Sequence, residues 1–167
     1  MVITCFWENK NKAFLRHVAV TALAIKKNKI LLVKRSNKVP SPGKYSLAGG
    51  FLERGETAKQ GVLRELLKET GYRGHVICLF RVNDNPQRRK EDRQNIDLVF
   101  LVRLVKKTGK PDKETEKAEW FDLNKIPGEK EFAFDHRDNI LFYRKHLKKR
   151  FTLPIVDSPR PRSNKKK

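Results

Sequence analysis

The segment from Gly49 to Tyr72 combines residue types that suit the binding of a metal ion and a phosphate group. It reads GGFLERGETAKQGVLRELLKETGY. The adjacent Gly49 and Gly50 come before all of its glutamates, and Gly55 lies between the first two of them. Glycine allows a positive φ or a close approach of the backbone to a ligand. Mg²⁺ prefers oxygen ligands, typically carboxylates together with water and substrate phosphate. The segment therefore predicts a divalent-metal site that acts on a phosphate-bearing substrate.

A helix is predicted to carry two of these four glutamates, Glu65 and Glu69. The apolar spacing places it at about residues 58–69, with Thr57 as its N-cap. The apolar side, which we expect to pack on a sheet, holds Val62, Leu63, Leu66 and Leu67. The other side, which we expect to face a cleft or solvent, holds Arg64, Glu65, Lys68 and Glu69.

Glu65 and Glu69 lie four residues apart on the charged side. Like charges at that spacing destabilise an isolated helix by roughly a few tenths of a kcal/mol. A hard cation between the two carboxylates would reverse the sign of that interaction. Glu53 and Glu56, in the preceding turn, could add oxygens or orient the site. A solvated acidic helix face is the alternative interpretation.

The segment resembles the signature of the Nudix hydrolase family. That signature is Gly, five residues, Glu, seven residues, Arg-Glu, an apolar residue, any residue, Glu-Glu, any residue, Gly and an apolar residue. The residues that occupy these positions here are Gly50, Glu56, Arg64, Glu65, Leu66, Lys68, Glu69, Gly71 and Tyr72. Lys68 is the main departure, because the family commonly uses a metal-binding Glu there. Lysine offers donors and no acceptor, so we expect it to pair with Glu65 or touch a substrate phosphate, and to weaken metal binding nearby.

The resemblance implies hydrolysis of a nucleoside diphosphate linked to another group, with Mg²⁺ (or Mn²⁺) as cofactor. It implies that Glu65 and Glu69 are metal ligands and catalytic bases, and that the carbonyl of Gly49 is a further ligand. Arg64 is implied to serve catalysis by orienting the carboxylates. The residues with implied structural roles in the motif are Gly50, Glu53, Glu56 and Gly71. The implied fold is α+β, an α/β/α sandwich with a mixed β-sheet between helices.

The order of predicted elements agrees with that fold. Strands are expected at residues 17–25, 29–35, 45–48, 75–82, 96–105 and 118–122, and a final amphipathic helix at 135–149. Long polar loops are expected at 83–95 and 106–117. Strands and helices do not alternate regularly, which favours α+β over a doubly wound sheet.

Several residues outside the signature are candidates for substrate binding, as is Lys68 within it. Arg35 ends a predicted strand and is expected to reach the phosphates, with a surface arginine as the alternative. Trp120 and Phe121 could stack on a base or pack in the core. The loop residues that could close over a phosphate chain or position water, or be merely solvated, are Arg88, Arg89, Lys90, Glu91, Asp92, Arg93, Glu114 and Glu116.

Two further segments resemble a Nudix branch linked to ADP-ribose and NAD metabolism. They are Phe134-Asp135-His136 and residues 39–46, VPSPGKYS. This resemblance points to ADP-ribose-like substrates. A structural residue at the start of a helix is the alternative interpretation of His136.

Length and charge bound the remaining possibilities. The 167 residues suggest one domain at 1–153, followed by a basic, disordered tail at 154–167. The net charge of +20 favours anionic partners, which include nucleotides and, through weak binding by the tail, nucleic acid. Cys5 and Cys78 are expected as free thiols. No apolar run reaches a membrane span and the N-terminus lacks a signal-peptide pattern, so a cytoplasmic protein is expected. A homodimer is an expectation from the family.

Three functions are compatible with these observations. The first is a metal-dependent Nudix hydrolase that cleaves an ADP-ribose-like derivative or a nucleoside triphosphate. The second is a catalytically weakened nucleotide- or RNA-binding protein on the same fold, with Lys68 marking the lost activity. The third is removal of pyrophosphate from RNA 5′ ends. The signature favours the first.

Overall fold

The protein has a mixed β-sheet with one α-helix on each face. The computed structural model describes residues 3–86, 88 and 94–156. In chain order the elements are β1 (Ile3–Phe6), β2 (Lys12–Leu15), β3 (Val18–Lys26), β4 (Lys29–Arg35), β5 (Tyr45–Ser46), β6 (Ala48–Phe51), α1 (Ala58–Thr70), β7 (Tyr72–Asn83), β8 (Ile96–Lys107), β9 (Thr115–Asp122), a 3₁₀ turn (Glu129–Glu131), α2 (His136–Lys148) and β10 (Ile155–Val156). Within these described ranges, no helix is long and apolar enough to cross a membrane.

Strand β3 lies at the centre of the sheet and sets the register of the site. The strand order is β10-β7-β8-β3-β4-β5, with β6 paired to β3 and β9 paired to β4. Strand β3 is antiparallel to β6, which places Thr21 opposite Gly49. It is parallel to β8, so Ala19 lies between Asp97 on one side and Phe51 on the other. Residues of β6 and β8 are therefore two strand spacings apart across β3, or roughly 10 Å.

Helix α1 is closed by hydrogen bonds at both ends. The Thr57 hydroxyl accepts from the Gln60 N–H at 3.3 Å, and the Gln60 side chain accepts from the Thr57 N–H at 2.8 Å. This reciprocal pair is a capping box. At the other end Gly71 has a left-handed φ of 73° and donates its N–H to the Leu67 carbonyl at 2.8 Å. The predicted helix and its Thr57 cap are confirmed, and the helix continues one residue further, to Thr70.

Two apolar clusters hold the helices against the sheet. On the α1 face, Val62 and Leu66 are fully buried in a cluster that includes Val20 of β3. On the α2 face, Ile140 is fully buried in a second cluster that includes Leu23. Alternate residues of β3 thus serve opposite faces of the sheet. The predicted α+β sandwich is confirmed.

Some strand pairing differs from the prediction. Strands β1 and β2 form a separate antiparallel hairpin that the sequence did not indicate. The strand predicted at 45–48 is interrupted at Leu47, and its second part, β6, extends through Gly49 and Gly50, which were predicted to form a turn. Strand β9 begins at Thr115 rather than at residue 118, inside a predicted loop. Its pairing with β4, which a single-strand pattern does not reveal, extends it.

The C-terminal boundary also lies further along the chain than residue 153. Strand β10 at Ile155–Val156 pairs in parallel with β7, so sheet pairing continues past that point. The rest of the predicted tail, residues 157–167, lies outside the described residues. Cys5 and Cys78 are free thiols, as expected.

Candidate functional site

The two glutamates of the signature lie on the buried side of helix α1. Glu65 is 4% exposed and Glu69 is 6% exposed. The alternative interpretation, a solvated acidic face, is therefore wrong for these two residues, although Arg64 and Lys68 remain partly exposed. Hydrophobic periodicity assigns carboxylates to the outer face, whereas here the helix turns them towards strand β6.

Strand β6 accommodates the carboxylates because it has no side chains at Gly49 and Gly50. A Cβ at Gly50 would lie 2.7 Å from the Glu65 carboxyl group. The Gly49 N–H donates to Glu69 Oε2 at 2.9 Å, and a Cβ there would lie 2.5 Å from the Val20 carbonyl oxygen. Both glycines are thus required for close approach rather than for a turn, and the strand fixes the position of Glu69.

Arg64 ties the carboxylate of Glu65 to the preceding turn. Its guanidinium donates to both oxygens of Glu56, at 2.7 and 3.0 Å, and to Glu65. It also donates to the Phe51 carbonyl at 3.1 Å and lies 3.4 Å from Glu53. Hydrogen bonds from Arg64 lower the pKa of Glu56 to about 2. These contacts support an orienting role for Arg64 and structural roles for the two turn glutamates.

Lys68 lies among acidic side chains rather than in the cavity described below. Its Nζ is 2.8 Å from Glu114, 3.6 Å from Glu65 and 3.9 Å from Asp112. Burial disfavours its charge, but the hydrogen bond to Glu114 and the surrounding carboxylates raise its pKa overall. The predicted pairing with Glu65 is present, and Glu114, a predicted loop acid, joins it. The other described loop acid, Glu116, pairs with Lys34 instead.

The connection between β8 and β9 is held against the C-terminal end of α1. Thr108 and Gly109 donate their N–H groups to the Gly71 carbonyl at 2.8 and 3.1 Å, and Asp112 N–H donates to the Lys68 carbonyl at 3.0 Å. A Cβ at Gly71 would lie 2.2 Å from the Gly109 carbonyl oxygen. This contact, besides the positive φ, requires a glycine at position 71.

A cavity of about 380 Å³ opens beside Gly49 and Gly50. It extends from β6 across β3 and β8 to the start of α2. Its lining residues are Ala19, Thr21, Arg35, Pro40, Ser41, Gly49, Gly50, Phe51, Arg88, Asn95, Asp97, Phe134 and His136. The volume falls within the range of small-molecule sites.

Arg35 supplies positive charge to the cavity wall. Its Nε donates to the Pro40 carbonyl at 2.7 Å, and its guanidinium lies 5.2 Å from the centre of the Phe134 ring. Burial lowers the pKa of Arg35, while the negative charges of Glu69 and Glu114 oppose that shift. Arg35 therefore lines the same cavity as the two glycines, and its predicted contact with substrate phosphates stays a prediction.

His136 lies at the first residue of α2 and is buried as a neutral imidazole. Its Nδ1 accepts a hydrogen bond from the Leu47 N–H at 3.1 Å. Burial lowers its pKa to about 3, with further lowering by nearby arginines and an opposing effect of Asp135. In the neutral ring the other nitrogen, Nε2, then carries the proton. The residue is structural, as one interpretation held, and it also lines the cavity.

Sequence reasoning missed a buried polar group at the far end of the cavity. Asp97 is 1% exposed, and its Oδ1 accepts from the Thr21 hydroxyl at 2.8 Å. Burial raises its pKa, whereas the charge of Arg88, 3.6 Å away, lowers it. Arg88 also donates to both oxygens of Asp135, at 2.6 and 3.0 Å. A lone aspartate in the apolar run of β8 was the signal that could have identified this group.

Two predicted base-stacking residues lie elsewhere. Trp120 packs on the α1-side cluster with its ring 6.2 Å from Tyr72, and Phe121 packs on the α2-side cluster with its ring 5.0 Å from Tyr45. Neither lines the cavity. Of the predicted loop cations and acids, Arg89, Lys90, Glu91, Asp92 and Arg93 lie outside the described residues.

The buried carboxylates suit a hard divalent cation. Burial and the charge of Glu65 raise the pKa of Glu69 to about 8, although Gly49, Arg35 and Lys68 oppose that shift. A nearby cation would favour the ionised form. Among residues 3–86, 88 and 94–156, no three His, Cys, Asp or Glu side chains form a metal-binding group. Two carboxylates would leave further positions to carbonyl, water and phosphate oxygens, which Mg²⁺ accepts.

Comparison with known proteins identifies the family of this site. The NUDIX domain family matches residues 15–142. ADP-ribose pyrophosphatase from Methanocaldococcus jannaschii is 40% identical over 126 residues, which are 75% of this chain and 72% of that protein. NAD-capped RNA hydrolase NudC from Vibrio atlanticus is 36% identical over 101 residues, 60% of this chain but only 35% of that protein.

A solved structure shows the same fold. A NUDIX hydrolase from Nitrosomonas europaea superposes with a TM-score of 0.76 at 24% identity, covering 93% of this chain and 92% of that one. The family match spans more than half of the chain and includes the carboxylates, the glycines and Arg35. The prediction made from the signature is confirmed: the chain belongs to the Nudix family and is a pyrophosphohydrolase.

Proposed function

We propose that this enzyme hydrolyses the pyrophosphate bond of ADP-ribose or a closely similar nucleoside diphosphate derivative, with Mg²⁺ or Mn²⁺ as cofactor. The observation that carries the proposal is that two buried carboxylates, Glu65 and Glu69, lie against Gly49 and Gly50, which line the cavity. The likeness to the archaeal ADP-ribose pyrophosphatase supports the choice of substrate.

The metal would be held by Glu65 and Glu69, with the Gly49 carbonyl as a further ligand. When bound, it would stabilise charge on the pyrophosphate and help to activate water. The protein fixes the two carboxylates in advance, because Arg64 holds Glu65 and the Gly49 N–H holds Glu69. Such restraint keeps reacting groups in position without reorganisation during the reaction.

Substrate phosphates would bind between the glycines and Arg35. The guanidinium can donate two parallel hydrogen bonds to a phosphate group, and its hydrogen bond to Pro40 restrains it at the cavity wall. His136 would present its Nε2–H to the substrate as a neutral donor, since its Nδ1 is occupied by Leu47. The wall near the glycines therefore combines the Arg35 cation with the neutral imidazole of His136.

The second candidate is a nucleotide-binding protein whose catalysis is weakened. It rests on one observation, the ammonium of Lys68 3.6 Å from Glu65, which competes with a metal ion for that carboxylate. Its two other acidic partners, Glu114 and Asp112, neutralise part of that charge. We favour the hydrolase because this compensation weakens the competition at Glu65, and because Glu69, among the described residues, is bound by the Gly49 N–H and forms no ion pair with Lys68.

The test is product release from ADP-ribose, dinucleotides and nucleoside triphosphates with Mg²⁺ or Mn²⁺. Glu69→Gln is the central variant, and Glu119→Gln, which makes the same chemical change on β9 outside the cavity, is its control. We expect the wild type and the control to release AMP from ADP-ribose, and Glu69→Gln to lose at least about 100-fold in rate. A silent wild type that becomes active as Lys68→Glu would select the second candidate. Equal rates for wild type and Glu69→Gln would refute the proposed site.

The remaining expectations stay proposals. They are a cytoplasmic location, a homodimer, weak nucleic-acid binding through the basic tail, and cleavage of nucleoside triphosphates or RNA 5′ ends. The likeness to an NAD-capped RNA hydrolase covers about a third of that protein. It is therefore a reason to include RNA 5′ ends among the substrates of the same assay, and it supports no stronger statement about RNA.

A further inference from the structure

Asp97, which lines the cavity, has one carboxylate oxygen without a hydrogen-bond partner in the described part of the chain. The residue lines the cavity and is almost completely buried. Its Oδ1 accepts from the Thr21 hydroxyl, whereas its Oδ2 has no hydrogen-bond partner within the described part of the chain. A buried oxygen without a hydrogen-bond donor destabilises the folded protein, and more strongly when the oxygen is charged. Native proteins rarely keep such an atom unless a ligand or water satisfies it.

The neighbouring groups hold this oxygen in place without supplying the missing hydrogen bond. The Arg88 guanidinium is 3.6 Å from Asp97 Oδ2, beyond hydrogen-bond range, and it donates to both oxygens of Asp135. Asp135 in turn accepts from Asn83 Nδ2 at 2.7 Å. Burial raises the pKa of Asp97, whereas the positive charge of Arg88 opposes that shift, and the bonds of Arg88 to Asp135 hold it beside Asp97.

A second acceptor lies two residues away. Asn95 is 8% exposed and lines the same cavity, and its Oδ1 likewise has no partner among the described residues. Asn95 directly precedes β8, two residues before Asp97, and both residues line the same cavity. Together they offer two acceptors to a ligand that brings N–H or O–H donors.

The surrounding walls suit a flat, apolar ring that carries such donors. Phe51, Phe134 and Pro40 line the cavity with apolar surface. Ala19, between Phe51 and Asp97 in the sheet, leaves the floor open because its side chain is small. The site at Gly49 lies two strand spacings from β8, roughly 10 Å, a distance comparable with the length of a nucleoside.

We propose that Asp97 and Asn95 recognise the exocyclic amino group of the substrate's nucleobase and so select an aminopurine such as adenine over an oxopurine such as hypoxanthine. This inference rests on the proposed function, because the proposed position of the pyrophosphate at Gly49 determines which end of the cavity holds the nucleobase. Thr21 holds Oδ1, so in this proposal Oδ2 accepts one amino hydrogen and Asn95 Oδ1 accepts the other. A 6-oxo group in the same position would set oxygen against oxygen.

The test is a change of base preference in Asp97→Asn. The variant retains an oxygen for Thr21 but replaces the free acceptor with an N–H donor. In wild type we expect kcat/KM for ADP-ribose to exceed that for the hypoxanthine analogue by roughly 10- to 100-fold, which corresponds to one hydrogen bond to a charged group. In Asp97→Asn we expect the ratio to reverse. Asp122→Asn, the same change at the end of β9 and outside the cavity, should keep the wild-type ratio.

Binding of AMP, IMP and ribose 5-phosphate by calorimetry separates this inference from the proposed function. If no substrate is cleaved, a preference for AMP over IMP that reverses in Asp97→Asn would still support the subsite. Asn95→Ala, expected to weaken AMP more than IMP, gives a second reading if Asp97→Asn does not fold. Equal binding of AMP and IMP in wild type would overturn the inference. A preference for IMP would also overturn it, because it would indicate a protonated Asp97. An effect of the substitutions confined to ribose 5-phosphate would overturn it as well, because it would assign the two acceptors to ribose hydroxyls.

Discussion

His136 and Glu69 should make opposite contributions to the pH dependence of stability. Burial holds the pKa of His136 at about 3, below its ordinary 6.5, so between these values the unfolded chain binds a proton that the folded chain does not. Stability from this group is therefore lost as the pH falls below 6.5. Burial raises the pKa of Glu69 to about 8 from 4.5. Its contribution is full below pH 4.5 and is lost as the pH rises towards 8.

The two effects oppose each other between about pH 5 and 6.5, which should leave the wild type nearly insensitive to pH there. His136→Gln exposes the imbalance, because glutamine keeps an acceptor for the Leu47 N–H but does not titrate. One pKa unit corresponds to about 1.4 kcal/mol. Between pH 7.5 and pH 5, the wild type should therefore lose roughly 2 kcal/mol of unfolding free energy relative to His136→Gln.

The assay is urea unfolding of both proteins at several pH values in chelator, because a bound metal would change the protonation of Glu69. Groups common to both proteins cancel in the difference. His75→Gln, at an exposed position on β7, is the control and should follow the wild type. Parallel pH profiles for wild type and His136→Gln would refute the assignment of a buried neutral imidazole.

Three further predictions concern the carboxylate site and its support. Gly50→Ala should lower kcat/KM roughly 100-fold, because the added Cβ would lie 2.7 Å from the Glu65 carboxyl group. The control is Gly128→Ala, whose Cβ would lie 3.4 Å from its nearest neighbour. Unchanged activity in Gly50→Ala would contradict the geometry. Lys68→Glu should lower Tm in the presence of chelator, since Glu114 loses its partner at 2.8 Å. The same variant should bind Mg²⁺ more tightly in a calorimetric titration. Weaker binding than wild type, or an equal gain in Lys125→Glu, would argue against competition between Lys68 and the metal ion. Leu66→Ala should lower the free energy of unfolding in urea by about 2–5 kcal/mol, because Leu66 is fully buried on the α1 face. Leu147→Ala, at a half-exposed position, should lower it far less. Similar losses in the two variants would show that α1 is not held by this cluster.

The sequence predicted the helix that carries the site because its signals are local. Thr57 and Gln60 form the cap within one turn, and Gly71 ends the helix with its own left-handed conformation. The glutamates and glycines were found by type and spacing. The long apolar strand β8 was equally evident, since its run of buried residues needs no partner to be recognised.

The features that were missed depend on residues far apart in the chain. The burial of Glu65 and Glu69 follows from strand β6 lying against α1 without side chains, which helix periodicity does not register. The hairpin of β1 and β2 leaves Phe6 and Phe14 exposed, so it lacks the usual alternation of buried and exposed residues. Asp97 gains its meaning only beside Thr21, 76 positions away in the chain.

The contact between Gly71 and Gly109 limits where the chain can change length. The connection from β8 to β9 has the polar composition of a segment that tolerates insertions. Its backbone is nevertheless bonded to Gly71 and Lys68, at the end of the same helix that carries Glu69. We expect that an added residue at positions 108–112 would move the last turn of α1 and with it the Glu69 carboxylate that contacts Gly49. For protein engineering, a fusion or inserted tag is better placed in the turn between β1 and β2, whose only strand pairing in the described structure is within the hairpin.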